Sequence, residues 1–231
     1  MEGGRAGHLT VRVALYYAPS PADPLWDAAC AWLGWDAERG AAVPQPPLPG
    51  IIELTAEPRV YGFHATLKPP MRLATDYGSL LDDVTRLART IAPFHLPALA
   101  VADLSGFLAL RETEACEPLH RLADACVRAL DGHRAPPSEV EMARHRGSGL
   151  DEAHEANLVR WGYPHVLAQW RFHMTLTRRM TAGEQQVVRP AAEAHLAAAL
   201  GRLRAVTAIA VFTQPAPGTP FRIAERVPLT G

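Results

Sequence analysis

The chain has 231 residues and a mass of 25.1 kDa, the size of one large domain or two small halves, and a chain of this length can bury about 70% of its unfolded surface. It is 48% hydrophobic and 20% charged with a net charge of −1, which excludes disordered, collagen-like and disulfide-scaffold classes. The pI near 6.8 removes the broad positive field that coats nucleic acid, while leaving room for a local basic cleft. Cys30, Cys116 and Cys126 are odd in number and lack C-x-x-C spacing, so reduced, buried thiols and a cytoplasmic location are expected, with no targeting or membrane segment. Of the 23 basic residues only Lys68 is a lysine.

Val11 to Tyr17 is rich in β-branched and aromatic residues and reads as a strand stopped by the prolines at 19, 21 and 24. Asp23-Pro24 supplies an N-cap and a first-turn proline for a helix to about Gly34. Four prolines between Ala41 and Gly50 predict an extended surface loop. Arg59 to Pro70 alternates with period two and reads as a strand with one polar face, ended by its two prolines. A helix over 76–91, strands over 95–101 and 106–110, and a helix over 117–130 follow.

The second half repeats this order: a strand over 170–177, a helix over 183–200 and strands over 206–212 and 221–227. The connector 135–169 breaks the symmetry with two short helices, 138–146 and 150–161, around Gly147-Ser148-Gly149. The expected fold is α+β and bilobed, a single duplicated domain in which lobes of about 11–134 and 170–231 mix across a pseudo-two-fold. Two antiparallel sheets then face a central cleft, with helices outside.

The repeat is sharpest in Phe63-His64-Ala65-Thr66-Leu67 and Phe172-His173-Met174-Thr175-Leu176. From the abundances of Phe, His, Thr and Leu, the chance expectation for one copy of Phe-His-x-Thr-Leu is roughly 0.002. Strand residues at i and i+2 share a face, so each copy presents an imidazole beside a hydroxyl while its apolar residues enter the core. Two copies around a pseudo-two-fold gather His64, Thr66, His173 and Thr175. That set suits a phosphodiester: one neutral histidine takes a proton from water, the other protonates the leaving oxygen, and the hydroxyls hold the non-bridging oxygens.

These motifs resemble the two-histidine phosphoesterase superfamily, which includes the RNA 2′,3′-cyclic phosphodiesterases and the 2′-5′ RNA ligase-like proteins. Tyr61 to Pro70, Gly106 to Leu110, Arg160-Trp161-Gly162-Tyr163-Pro164 and Phe172 to Thr177 are similar to a family within it found beside phosphonate-utilisation operons. The resemblance runs from Arg12 to Leu229 and implies a bilobed α+β fold with a central cleft, acting on a cyclic phosphate or related phosphodiester. The expected activity is a metal-independent hydrolase; the competing reading is a non-catalytic protein that holds a phosphorylated metabolite or an RNA end.

Further candidates for substrate binding are Lys68, which continues the polar face of its strand, Thr177 at the equivalent place in the second copy, Arg178 beside it, Tyr16 on the first strand and Arg144 in the connector. There is no G-x-x-x-x-G-K-[ST] or G-x-G-x-x-G loop, and the remaining histidines show no H-x-H or H-E-x-x-H spacing, so no metal and no cofactor is expected. The expected partner is a small phosphorylated substrate; an RNA end fits the same chemistry, but long nucleic acid and membranes do not.

Overall fold

A computed structural model describes residues 12–147 and 149–231; Val11, the first ten residues and Ser148 lie outside the described residues. The fold is α+β. In chain order it runs β1 (Arg12–Tyr17), α1 (Pro24–Leu33), β2 (Trp35–Asp36), β3 (Ala41–Ala42), α2 (Ile51–Leu54), α3 (Ala56–Tyr61), β4 (Ala65–Arg72) and α4 (Tyr77–Ala88). It continues with β5 (Phe94–Leu96), β6 (Leu99–Leu104), β7 (Phe107–Glu112), α5 (Glu117–Ala129), α6 (Glu139–Arg146), α7 (Glu152–Trp161) and β8 (Met174–Thr175). The last elements are α8 (Ala182–Leu200), β9 (Arg204–Val206), β10 (Ala208–Gln214) and β11 (Arg222–Pro228).

Helix boundaries follow local chemistry. Asp23, Asp76, Ser138, Asp151 and Thr181 each accept a backbone N–H with the side chain at an N-terminus, and Gly34 ends α1 in the left-handed conformation. Pro97 lacks an N–H to donate and divides the single strand expected over 95–101 into β5 and β6.

Seven strands form one sheet in the order β11-β10-β1-β4-β8-β7-β6, antiparallel throughout. The two sheets expected from the duplication are therefore the wings of one sheet, joined where Ala65 of β4 pairs with Met174 of β8. The copies are interlaced: β4 of the first half lies on the side of β10 and β11, and β8 of the second half lies beside β7 and β6. β5 and β9 form a separate two-stranded pair linking the halves. α1 packs on α8, α5 on β4 and α4 on α5 and β11, with Leu15, Trp32, Leu67, Leu122, Met174 and Phe212 in the shared core.

Two expectations about the motif strands change. Arg59 to Tyr61 belongs to α3, and β4 begins only at Ala65, because Gly62 turns the chain with φ +73° and ψ 178°. At the other end β4 continues through Pro69 and Pro70 to Arg72. Its pairing with β1 slips between Val13 and Leu15 opposite those prolines, so the missing N–H groups fall in an irregular stretch of ladder. Of the strand expected over 170–177 only Met174–Thr175 is regular, while Leu176 N and Thr177 N both donate to the single Leu108 carbonyl.

Candidate functional site

Alternation does what the motifs require. Phe63, Ala65 and Leu67, and Phe172, Met174 and Leu176, are all buried, while His64, Thr66, His173 and Thr175 are half-buried. The β4–β8 pairing at Ala65–Met174 sets the two motifs side by side at the centre of the sheet. Trp170 Nε1 donates to the Thr66 carbonyl at 2.7 Å and Trp32 Nε1 to the Leu176 carbonyl at 3.1 Å, so a tryptophan braces each motif.

The two imidazoles are held in the same way. His64 Nδ1 lies 2.9 Å from the Gly62 carbonyl and His173 Nδ1 lies 2.9 Å from the Arg171 carbonyl, two residues upstream in each case. A carbonyl only accepts, so Nδ1 carries the proton in both rings and Nε2 is left as the basic nitrogen. Thr66 Oγ1 lies 3.3 Å from His64 Nε2. Tyr16 stacks on His64 with ring centroids 3.7 Å apart and planes 20° from parallel, and Phe107 meets His173 edge-on at 6.1 Å.

Burial, opposed by the Gly62 hydrogen bond and reinforced by the nearby His173, pushes the His64 pKa down to about 4. Burial likewise lowers that of His173, with the field of Arg111 adding to it. Both rings are thus neutral in the free protein at pH 7. The hydrogen bond on His64 depends on Gly62, whose φ of +73° is strained for any other residue and whose added Cβ would stand 3.0 Å from Ala37 Cβ. Gly62→Ala is expected to destabilise the protein by about 1–3 kcal/mol and to displace His64, read as a lower Tm together with reduced turnover.

A cleft of about 320 Å³ opens on one side of His64, lined by Arg12, Tyr16, Tyr61, Thr66, Arg72, Arg134, Arg144, Tyr163 and Thr175 among others. A second hollow of about 420 Å³ on the other side is lined by Glu57, Tyr61, His64, Phe107, Thr175, Thr177, Arg178 and Arg179. The structure thus brings Tyr16 and Arg144 to the His64 cleft, and Thr177 and Arg178 to the second hollow. Thr177 Oγ1, buried, accepts from Leu108 N at 3.0 Å, and Arg178 is paired with Glu184 at 2.8 Å.

Lys68 is the correction. It borders the cleft, but the β1–β4 ladder shifts register between Leu15 and Tyr16, so Tyr16 faces Thr66 while Leu15 faces Lys68. Residues directly opposite share a face, so this bulge turns Lys68 to the side away from Thr66. The residue is 2% exposed, and its ammonium donates to Asp131 Oδ1 and the Val127 carbonyl, each at 3.3 Å, under the end of α5. Strict alternation over 64, 66 and 68 could not have shown this.

Sequence reasoning missed the far wall of the cleft. Arg12, Arg72, Tyr61, Arg134 and Tyr163 come from five segments, and only Tyr61 and Tyr163 lay in motifs that the sequence singled out, Tyr61–Pro70 and Arg160–Pro164. Gly162 ends α7 with φ +73°, leaving room for Arg134, which donates to the Arg160 carbonyl, and the chain then delivers Tyr163 to the cleft. Asn157 pins the return to Trp170 by donating to the Pro164 and Val166 carbonyls and Gln169 Oε1. Among the described residues, no group of three or more His, Cys, Asp or Glu is placed to hold a metal ion, and no helix is long and apolar enough to cross a membrane.

Among known proteins, the chain is 36% identical over 233 residues to a ribose 1,5-bisphosphate phosphokinase PhnN of Janthinobacterium sp. (strain Marseille), covering 95% of this chain and 51% of that one. It is also 36% identical over 222 residues to the protein of that name from Laribacter hongkongensis (strain HLHK9), covering 94% and 52%. The chain spans about half the length of these curated relatives. Among solved structures, E. coli LigT complexed with 3′-AMP is similar at TM-score 0.47 and 16% identity, over 95% of this chain and 98% of that one. A structure described as a phosphoesterase is similar at TM-score 0.45 and 15% identity, over 95% and 99%. The matched family covers residues 66–222, from Thr66 of the first motif past the whole of the second, and the chain belongs to it: the family described as protein of unknown function (DUF1045).

Proposed function

We propose that the protein is a metal-independent phosphodiesterase that hydrolyses a small cyclic phosphate, serving phosphonate metabolism in the cytoplasm. The observation that carries this reading is the matched pair of imidazoles, each with Nδ1 on the carbonyl two residues upstream and Nε2 left for chemistry. His64, the more strongly depressed and sharing its Nε2 with Thr66, is the base: it takes a proton from water as the water oxygen bonds to phosphorus. The bond from phosphorus to the leaving oxygen breaks, and that oxygen receives its proton from His173. Thr66 and Thr175 hydrogen-bond the non-bridging oxygens as their charge grows. The phosphonate setting rests on the resemblance of the motifs, and the cytoplasmic one on three free, buried cysteines.

The relatives carry the name of a kinase, yet this chain has no G-x-x-x-x-G-K-[ST] loop, so the reading takes from them only the class of ligand, a small phosphorylated sugar. The test is turnover of 2′,3′-cyclic nucleotides and of 1,2-cyclic sugar phosphates in the presence of EDTA. Loss of activity with EDTA would replace the mechanism with a metal-assisted one.

The pKa shifts fix the sign of the pH dependence. The base must be neutral, so kcat/KM rises as pH climbs through about 4; the acid must be protonated, so kcat/KM falls once pH exceeds the lowered pKa of His173. The profile is expected to be a bell with its maximum below pH 6.5, and to move upward in kcat because a bound anion favours imidazolium. A maximum above pH 8 would contradict the assignment.

A further inference from the structure

We propose that the arginine-lined cleft beside His64 is a second anion site, so that the true substrate carries a phosphate-type oxyanion in addition to the phosphodiester that the histidines act on. This rests on the reading above and extends it to the substrate class. Three observations converge. First, the two hollows share Tyr61, His64 and Thr175 in their linings, so a substrate whose phosphorus sits at His64 and Thr175 has both compartments within reach.

Second, the first compartment is positive although the whole chain is not. Arg72 is neutralised by Glu141 at 3.1 Å, but Asp131 has to serve both Arg134 and Lys68. Arg12 has no ion-pair partner among the described residues: its Nε donates to Gln214 Oε1 at 2.7 Å and its guanidinium lies 5.5 Å from the centre of the Phe221 ring. Arg144, exposed on α6 and within the field of Tyr163, makes no hydrogen bond or ion pair among the described residues. Unpaired guanidinium groups facing a cleft suit a dianion that accepts two parallel bonds from each.

Third, the hydroxyl of Tyr16, which stacks on His64 at this wall, is wholly buried without a hydrogen-bond partner among the described residues. A buried phenol left unbonded costs stability, and an oxyanion in the cleft gives it an acceptor.

The experiment is calorimetric titration of the full chain with ribose 1,5-bisphosphate and with ribose 5-phosphate, neither of which is a diester to be cleaved. The wild type is expected to bind the bisphosphate at least tenfold more tightly, and Arg144→Ala, a substitution at an exposed helix position, to reduce that preference to about threefold or less. Equal affinity for the two sugars in the wild type, or a preference that survives Arg144→Ala undiminished, overturns the second site. Unimpaired hydrolysis in His64 variants overturns the catalytic reading and leaves the second site standing if the bisphosphate preference holds.

Discussion

His64→Gln and His173→Gln are each expected to lower turnover of a cyclic phosphodiester by about 10³-fold, with a thermal transition close to that of the wild type. The size follows from the proposed mechanism: a positioned general acid or base contributes about 10²–10⁴-fold, and the proposal gives the proton transfer to the Nε2 that each ring leaves unengaged by the backbone carbonyl. Glutamine keeps the bulk and polarity of imidazole but cannot transfer a proton at neutral pH. Because the two rings serve one transition state, the double variant is expected to be little worse than either single one. Full activity in either single variant would end the two-histidine mechanism. Losses that simply multiply would show that the rings act in separate steps.

Asp131→Ala is expected to be the most destabilising polar substitution in the chain, at about 3 kcal/mol, or roughly 6–12 °C in Tm. Its carboxylate accepts from Arg134 at 2.8 and 3.1 Å and from Lys68 at 3.3 Å. Burial works against the charge, but the bonds from Arg134 and Lys68 hold the carboxyl below its usual range. Removing it strands Lys68, whose side chain is 3% exposed and whose pKa burial already lowers. The ammonium must then deprotonate or draw water into the core. Pairing the change with Lys68→Met is expected to recover much of the loss, because a linear apolar chain needs no counter-ion. Chemical denaturation of the two variants measures this; a double variant no more stable than Asp131→Ala would place the loss with Arg134 instead.

Much of the fold was legible because its signals are local. The cap at Asp23 and the helical spacing elsewhere mark the helix starts to within one residue or so, since the orphan N–H groups of a first turn need a side-chain acceptor nearby in sequence, whereas the helix expected to reach Ile91 ends at Ala88. The shared face of each His-x-Thr pair was legible for a similar reason: period two puts an imidazole and a hydroxyl on one face whatever the strand pairs with.

What only the tertiary structure decided is pairing. Nothing local says that β4 joins β8 at Ala65–Met174, or that the copies interlace and merge their sheets. A register slip opposite β1 is invisible in β4 alone, yet it turns Lys68 from the histidine face to Asp131, because one extra residue on one strand reverses every side chain beyond it. The arginine wall is the same case. Arg12, Arg72, Arg134 and Arg144 are scattered over more than half the chain among 22 arginines, and only the folding of β1, β4 and the connector around one cleft sets these four apart from arginines that merely face water.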